Sequence, residues 1–196
     1  MAKNLEQRVD ELEKQIKILL SEKITKINKK LNIGDAFEMC GIEWKILDIN
    51  EKGYACLVER LESKMQFDNS SNDWRNSELR KYLNGDFLKK LEKEVGEENI
   101  VEFERDLLSM DGQTEYGKCE DKVSLLNVDE YRKYRGLIPN VNDYWWWLIS
   151  PWSTPCNDYK STVAVVSPSG NIDNISYESN IGVRPFCIFS STIFES

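Results

Sequence analysis

The chain has 196 residues, 40% of them hydrophobic and 11% aromatic, enough for one sizeable core with an appendage beside it. Its net charge of −8 disfavours nucleic acid and anionic lipid, since phosphate binding calls for a basic face. Histidine is absent, which removes the commonest general base, the usual partner of a serine or cysteine nucleophile and the commonest metal ligand.

No C-x-x-C pair and no glycine-rich phosphate loop occur, so neither a metal nor a cofactor is expected. The five cysteines (Cys40, Cys56, Cys119, Cys156 and Cys187) are widely spaced and expected to be reduced and buried. A charged N-terminus without an apolar h-region argues against a signal peptide. No apolar run approaches the roughly 20 residues of a membrane helix, so no membrane insertion is expected. The expectation is a protein made in a cytoplasm, with virion or particle association left open.

Residues 1–32 carry apolar side chains at Leu5, Val9, Leu12, Ile16, Leu20, Ile24, Ile27 and Leu31. This is a heptad seam with one stutter, flanked by Glu and Lys and unbroken by Pro or Gly. A self-associating coiled coil is expected, the alternative being one amphipathic helix packed on its own domain. Within it, Arg8-Val9-Asp10-Glu11-Leu12-Glu13 matches the Arg-h-x-x-h-Glu pattern of short three-stranded coils, which favours a homotrimer over a dimer. Residues 33–196 read as the second domain.

Gly34 closes the helix, and alternating strands follow at 36–40, 42–49 and 54–61, an antiparallel meander. Residues 67–74 form a polar loop ending at Trp74, whose Asn72 and Asp73 are candidate binding residues. The Asp/Asn content invites a calcium reading, but the spacing is not that of an EF-hand. Residues 77–84 predict a short helix, and Gly85-Asp86 a break before a second one. A strand and surface loop are expected in 97–113 and a short strand over 122–126. Asn127 and Glu130 are spaced as a capping box for a helix running through Tyr134.

Four of the six tryptophans then fall within eight residues, Trp145, Trp146, Trp147 and Trp152. A buried aromatic ring removes about 150–250 Å² from water. Trp145, Trp146 and Trp147 are therefore placed in a core strand, with at least one ring facing opposite to the others. Arg184 is expected to be a core residue bonded to carbonyls or a carboxylate. Strands at 162–166 and 171–175 make a hairpin around Ser167-Pro168-Ser169-Gly170, and 183–189 closes the sheet. The loop 152–160 joins two core strands and is polar and aromatic, a place where binding residues gather. Trp152, Asn157, Asp158 and Tyr159 are its candidates.

The ordered motifs Asn-Asp-Trp-Arg-x-Ser-x-Leu-Arg-x-Tyr-Leu-Asn (72–84), Leu125-Leu126, Trp146-Trp147-Leu148-x-Ser150-Pro151, Ser169-Gly170 and Gly182-Val183-Arg184-Pro185 resemble an uncharacterised bacterial and phage domain family. That family is similar in layout to C-type lectin-like domains and to the formylglycine-generating-enzyme fold. Ile149 stands where the family usually has Arg, and Trp152 where it usually has Gly. The resemblance implies an α+β, C-type lectin-like mixed domain of antiparallel sheets with two or three short helices, preceded by the N-terminal coiled coil. The close cysteine pair of the enzyme branch and the E-P-N or Q-P-D and W-N-D signatures of calcium lectins are absent, so neither activity is implied.

The functional expectation is a non-enzymatic recognition module, oligomerised by its stalk, that binds a protein or glycan. A phage or mobile-element receptor-binding or particle-associated protein fits this layout. The alternatives are an intracellular protein that binds a host or regulatory protein and, remotely, an enzyme of the formylglycine-generating type.

Overall fold

The computed structural model describes residues 8, 11, 12, 14, 15, 31–59 and 63–194. The chain divides into two units, one of Met1–Leu31 with Ser191–Ser196 and one of Asn32–Ser190. In the first, Arg8, Glu11, Leu12, Lys14 and Gln15 are helical and exposed, and Ser191–Phe194 makes a 3-10 turn. Leu12 is 57% exposed. Leu31, the last predicted seam residue, is half-buried and outside any helix, and the others, Leu5, Val9, Ile16, Leu20, Ile24 and Ile27, lie outside the described residues.

The second unit is α+β, with largely antiparallel sheets. Strand β1 (Ala36–Met39) turns into β2 (Ile42–Asn50) through Cys40-Gly41. Both turn residues have positive φ, 58° and 70°, the twist a two-residue hairpin needs. Strand β3 (Gly53–Val58) pairs with β2 across a register shift between Ile46 and Asp48. That irregularity lets Trp44, Ile46 and Leu47 all be buried.

After β4 (Ser63–Met65) comes a 3-10 turn, Trp74–Asn76, and then α1 (Glu78–Tyr82), capped by Ser77. The predicted break at Gly85-Asp86 does not occur. A π turn, Leu83–Phe87, carries the helix straight into α2 (Leu88–Val95). The buried residues Leu79, Leu83, Phe87 and Leu91 recur every four positions. On a regular α-helix that spacing drifts by about 40° per repeat, and the wider π turn takes up the drift.

Instead of one strand in 97–113 and one over 122–126, four short ones form: β5 (Ile100–Val101), β6 (Phe103–Asp106), β7 (Lys118–Asp121) and β8 (Val123–Ser124). Helix α3 (Val128–Tyr134) opens with the capping box, Asn127 accepting from Glu130 N and Glu130 from Asn127 N. Then follow β9 (Trp146–Pro151), β10 (Thr162–Val166), β11 (Ile172–Ser176), β12 (Ile181–Val183) and β13 (Phe186–Phe189).

One sheet runs β1-β2-β3-β13-β5, with β8 also on β13. A second runs β11-β10-β9-β12-β4, and β6 pairs with β7 alone. Residues 183–189 do not form the single closing strand expected from sequence. The chain leaves the second sheet at Val183 and enters the first at Phe186, with Arg184-Pro185 as the step between them. Gly53 lies where β13 passes, and a Cβ there would sit 2.1 Å from Phe189 O.

The core joins Leu47, Leu57, Phe186 and Ile188 of the first sheet to Trp146, Leu148 and Val166 of the second, with Tyr131 of α3 against them. All six residues of β9 are buried, so both its faces are covered. Trp146 meets the Tyr131 ring edge-on at 5.5 Å, while Trp147 meets Phe67 at 5.6 Å and donates from Nε1 to Met65 O at 2.8 Å. Trp145, expected in the core strand, precedes it and is only half-buried, because pairing with β10 starts at Trp146.

Arg184 is fully buried, donating from Nε to Val58 O at 2.9 Å and from a terminal nitrogen to Glu59 O at 3.1 Å. Its guanidinium lies 4.9 Å from the centre of the Trp146 ring. Burial pulls its pKa down to about 10, so it remains charged at neutral pH. Cys56 and Cys187 are buried opposite one another on β3 and β13, and all five cysteines are unbridged. Cys40 and Cys119 are half-buried and Cys156 is exposed, against the expectation that all would be inside.

Candidate functional site

Strands β9 and β10 are joined by a loop that opens where Trp152 N donates to Thr162 O at 3.1 Å. Trp152 is half-buried, and every residue from 155 to 160 is exposed. Pro155–Asn157 makes a 3-10 turn, ended by Asp158 in the left-handed region at φ 55°. Aspartate tolerates that region better than most side chains, which explains a non-glycine residue there. Thr154 O accepts from both Asn157 N (3.0 Å) and Tyr159 N (3.2 Å), folding the loop back on itself. Tyr159 is 37% exposed, its hydroxyl 3.2 Å from Thr162 Oγ1.

A second loop, on β6–β7, fastens this one from the side. Asp111 accepts from the Ser153 hydroxyl at 2.6 Å and the Asn157 amide at 2.8 Å, and a short bond from Ser109 completes the set. The hydroxyl bonds from Ser109 and Ser153 hold the Asp111 pKa down at about 2. Glu115 accepts from Cys156 N at 2.9 Å, and its pKa is lowered first by the bond from the Cys156 thiol and then by this backbone bond. The same contact pushes the Cys156 thiol up, the reverse of what a nucleophilic cysteine needs.

A third loop lies underneath. Asn72 is fully buried, donating to Ser153 O at 2.9 Å and Thr162 O at 2.8 Å and accepting from the Tyr116 hydroxyl at 2.7 Å. Asp73 is 7% exposed; it caps the Trp74–Asn76 turn and pairs with Arg75. These two expected binding residues are therefore internal braces, spent on holding the ends of the 152–160 loop and the turn beside it. Asp68 has a related task. Burial raises its pKa, but bonds from Ser70 and Glu78 N outweigh this and leave it lowered.

The structure thus brings Trp152, Asn157, Asp158 and Tyr159 onto one exposed loop, and sets Asn72 and Asp73 beneath it. Asp111, Glu115 and Ser153 were not singled out in the sequence. The available signal was Asp111-Gly112, a turn dipeptide in a weakly patterned run, with Gly112 at φ 83°.

A family model for a domain of unknown function (DUF6273) matches residues 18–191. The chain belongs to this family. No curated protein and no solved structure matches it. The matched span of the DUF6273 domain takes in all three loops of the site and every strand of both larger sheets. Among the described residues, no helix is long and apolar enough to cross a membrane, and no group of three or more Cys, Asp or Glu side chains is placed to hold a metal ion.

Proposed function

We propose that this DUF6273 domain is a non-enzymatic recognition module whose 152–160 loop contacts a protein or glycan. The observation that carries the reading is a run of six exposed residues braced from the side by Asp111 and Glu115 and from beneath by the buried Asn72. A loop held in one shape before binding loses little entropy on contact. Tyr159 supplies an amphipathic ring of the kind that carries energy at interfaces, and Trp152 flanks it. Asn157 and Asp158 set orientation by hydrogen bonding.

The reading extends to a C-type lectin-like layout, supported by the two-sheet arrangement and by the ordered motifs around Trp146-Trp147 and Gly182-Val183-Arg184-Pro185. It also places the domain on a coiled-coil stalk, trimeric in preference to dimeric, where Leu12 is a helical and exposed leucine. Several weak heads on one stalk gain avidity without further contacts, which suits a phage receptor-binding or particle-associated protein. An intracellular adaptor for a host protein is the second reading, favoured by the acidic surface implied by a net charge of −8.

The test is a printed glycan array together with a displayed peptide library, screened with the parent and with a Trp152→Ala, Tyr159→Ala double variant. Binders of the parent that the variant loses, with circular dichroism and melting unchanged, support the reading. A variant that binds like the parent moves the ligand face elsewhere. Loss of binding together with loss of fold identifies the half-buried Trp152 as structural, and Tyr159→Ala alone then decides.

A further inference from the structure

We propose that a cavity between the end of β6 and the start of α3 is a socket for one lysine or arginine side chain of a protein partner. The half-open cavity holds about 300 Å³, lined by Leu108, Met110 and Val128, by Asp106 and Asp129, by Arg132 and by Ser150. That volume is at the small end of natural ligand pockets and matches one long side chain rather than a cofactor.

The lining separates into the two chemistries of a basic side chain. Leu108 is 41% exposed, an apolar surface for a methylene stem. Asp106 is exposed, and its Oδ1 accepts from Leu108 N at 3.1 Å. Among the described residues no cation lies within ion-pair distance of it. Lys118, directly across on β7, pairs with Glu104 at 2.6 Å and feels the Asp106 charge more weakly. Asp129 gives one oxygen to Arg132 at 3.0 Å, which leaves its other oxygen for a second donor. Ser150 is 4% exposed, and its Oγ accepts from Val128 N at 3.1 Å with a lone pair to spare.

The electrostatics choose the sign of the guest. Asp106 and Asp129 outnumber Arg132 in the lining, and Asp111, on the same loop as Leu108, stays ionised with its pKa held down to about 2. A carboxylate or phosphate would meet like charge here, while the net charge of −8 draws basic partners in. The cavity shares the 106–112 segment with the loop that braces residues 152–160, so a bound partner reaches both. That the guest belongs to a protein rests on the recognition reading above; that it is basic rests on the acidic residues in and beside the cavity and on the net charge.

The experiment is a nuclear magnetic resonance titration of the full chain with the capped tripeptides glycyl-lysyl-glycine and glycyl-arginyl-glycine, against glycyl-norleucyl-glycine. The expected result is saturable amide shifts confined to residues 106–112 and 127–132 with affinity on the order of millimolar, weakening as salt rises. A double variant, Asp106→Asn with Asp129→Asn, should bind roughly fivefold more weakly or worse while melting as the parent does. The single Asp106→Asn variant, which keeps an acceptor for Leu108 N, serves if the double variant melts early. Shifts that do not saturate, equal binding of the norleucine peptide, or variants that bind like the parent overturn the proposal. Tyr159→Ala should leave the titration unchanged. A basic peptide that still binds when loop variants have no effect on selected partners would overturn the loop reading and keep the socket.

Discussion

Trp147 is fully buried, rests edge-on against Phe67, and spends its one donor on Met65 O. Replacing it with alanine should cost about 3–5 kcal/mol, a large part of a typical domain's stability of roughly 5–15 kcal/mol. Urea unfolding checks this, and an unchanged midpoint would contradict the burial. Asp111 makes a separate, pH-dependent contribution. Its carboxyl is held at about 2 against an ordinary 3.8, so the ionised form is the one the fold prefers. The stabilisation is complete above the ordinary value and is lost as pH falls through about 2. The melting gap between the parent and Asp111→Asn should therefore stay constant from about pH 7 to 5 and close between about pH 4 and 2. A gap that widens with acid would refute the assignment. Little of this was legible in the sequence. The burial of Trp146 and Trp147 follows from an uncharged aromatic run, and of the two partners the sequence allows for Arg184, carbonyls or a carboxylate, the fold supplies carbonyls. The brace of Ser109, Asp111, Ser153 and Asn157 was not, because segments far apart in the chain meet there. Asn72 misled for the same reason, since a polar side chain in a polar loop gives no sign that three distant groups await it.

At the level of elements, α3 shows how much a local signal can carry. Asn127 and Glu130 are three apart in a capping box and form one, because the bonds need nothing beyond the first helical turn. Glu130 has a second role invisible from that spacing. It pairs with Arg105, which is 2% exposed and bonded to Glu130 Oε1 at 2.6 Å. Asn127→Ala should thus cost about 1 kcal/mol, the usual value of a lost cap. Glu130→Ala should cost more, roughly 3–5 kcal/mol, because a buried guanidinium loses its counterion. Thermal melts of the two variants give the order directly, and a cap variant as damaging as the Glu130 one would show the Arg105 pairing to be unimportant. The hairpin at 167–170 was legible for the same local reason. The continuous helix through Gly85 was not, since a glycine reads as a break while the four-residue recurrence of Leu79, Leu83, Phe87 and Leu91 speaks for continuity.

For the whole molecule, the decisive measurement is mass in solution. The seam expected over Leu5 to Leu31 predicts an oligomeric full chain and a folded monomer after deletion of residues 1–32. Light scattering on both forms decides it, and a monomeric full chain removes the stalk from the proposal. Sheet membership was the least legible property of all. Residues 183–189 read as one closing strand, and nothing local announces that Arg184-Pro185 moves the chain from one sheet to the other. The change of sheet follows from where partners lie, Met65 and Trp146 for β12 and Leu57 and Ile100 for β13.

That step has a consequence for how the protein is made. Arg184 binds the carbonyl of Val58, 126 positions earlier, and β13 sits in the middle of its sheet with β3 and β5 on either side. A growing chain on the ribosome holds β1, β2 and β3 early but has nothing to place on the far side of β3 until residues 186–189 have been made. Non-local pairing of this kind is slow to form and leaves strand edges open meanwhile. The nascent domain must therefore carry an incomplete sheet from the making of β3 until that of β13, and a message cut before the codons of β13 would yield a domain whose first sheet never closes.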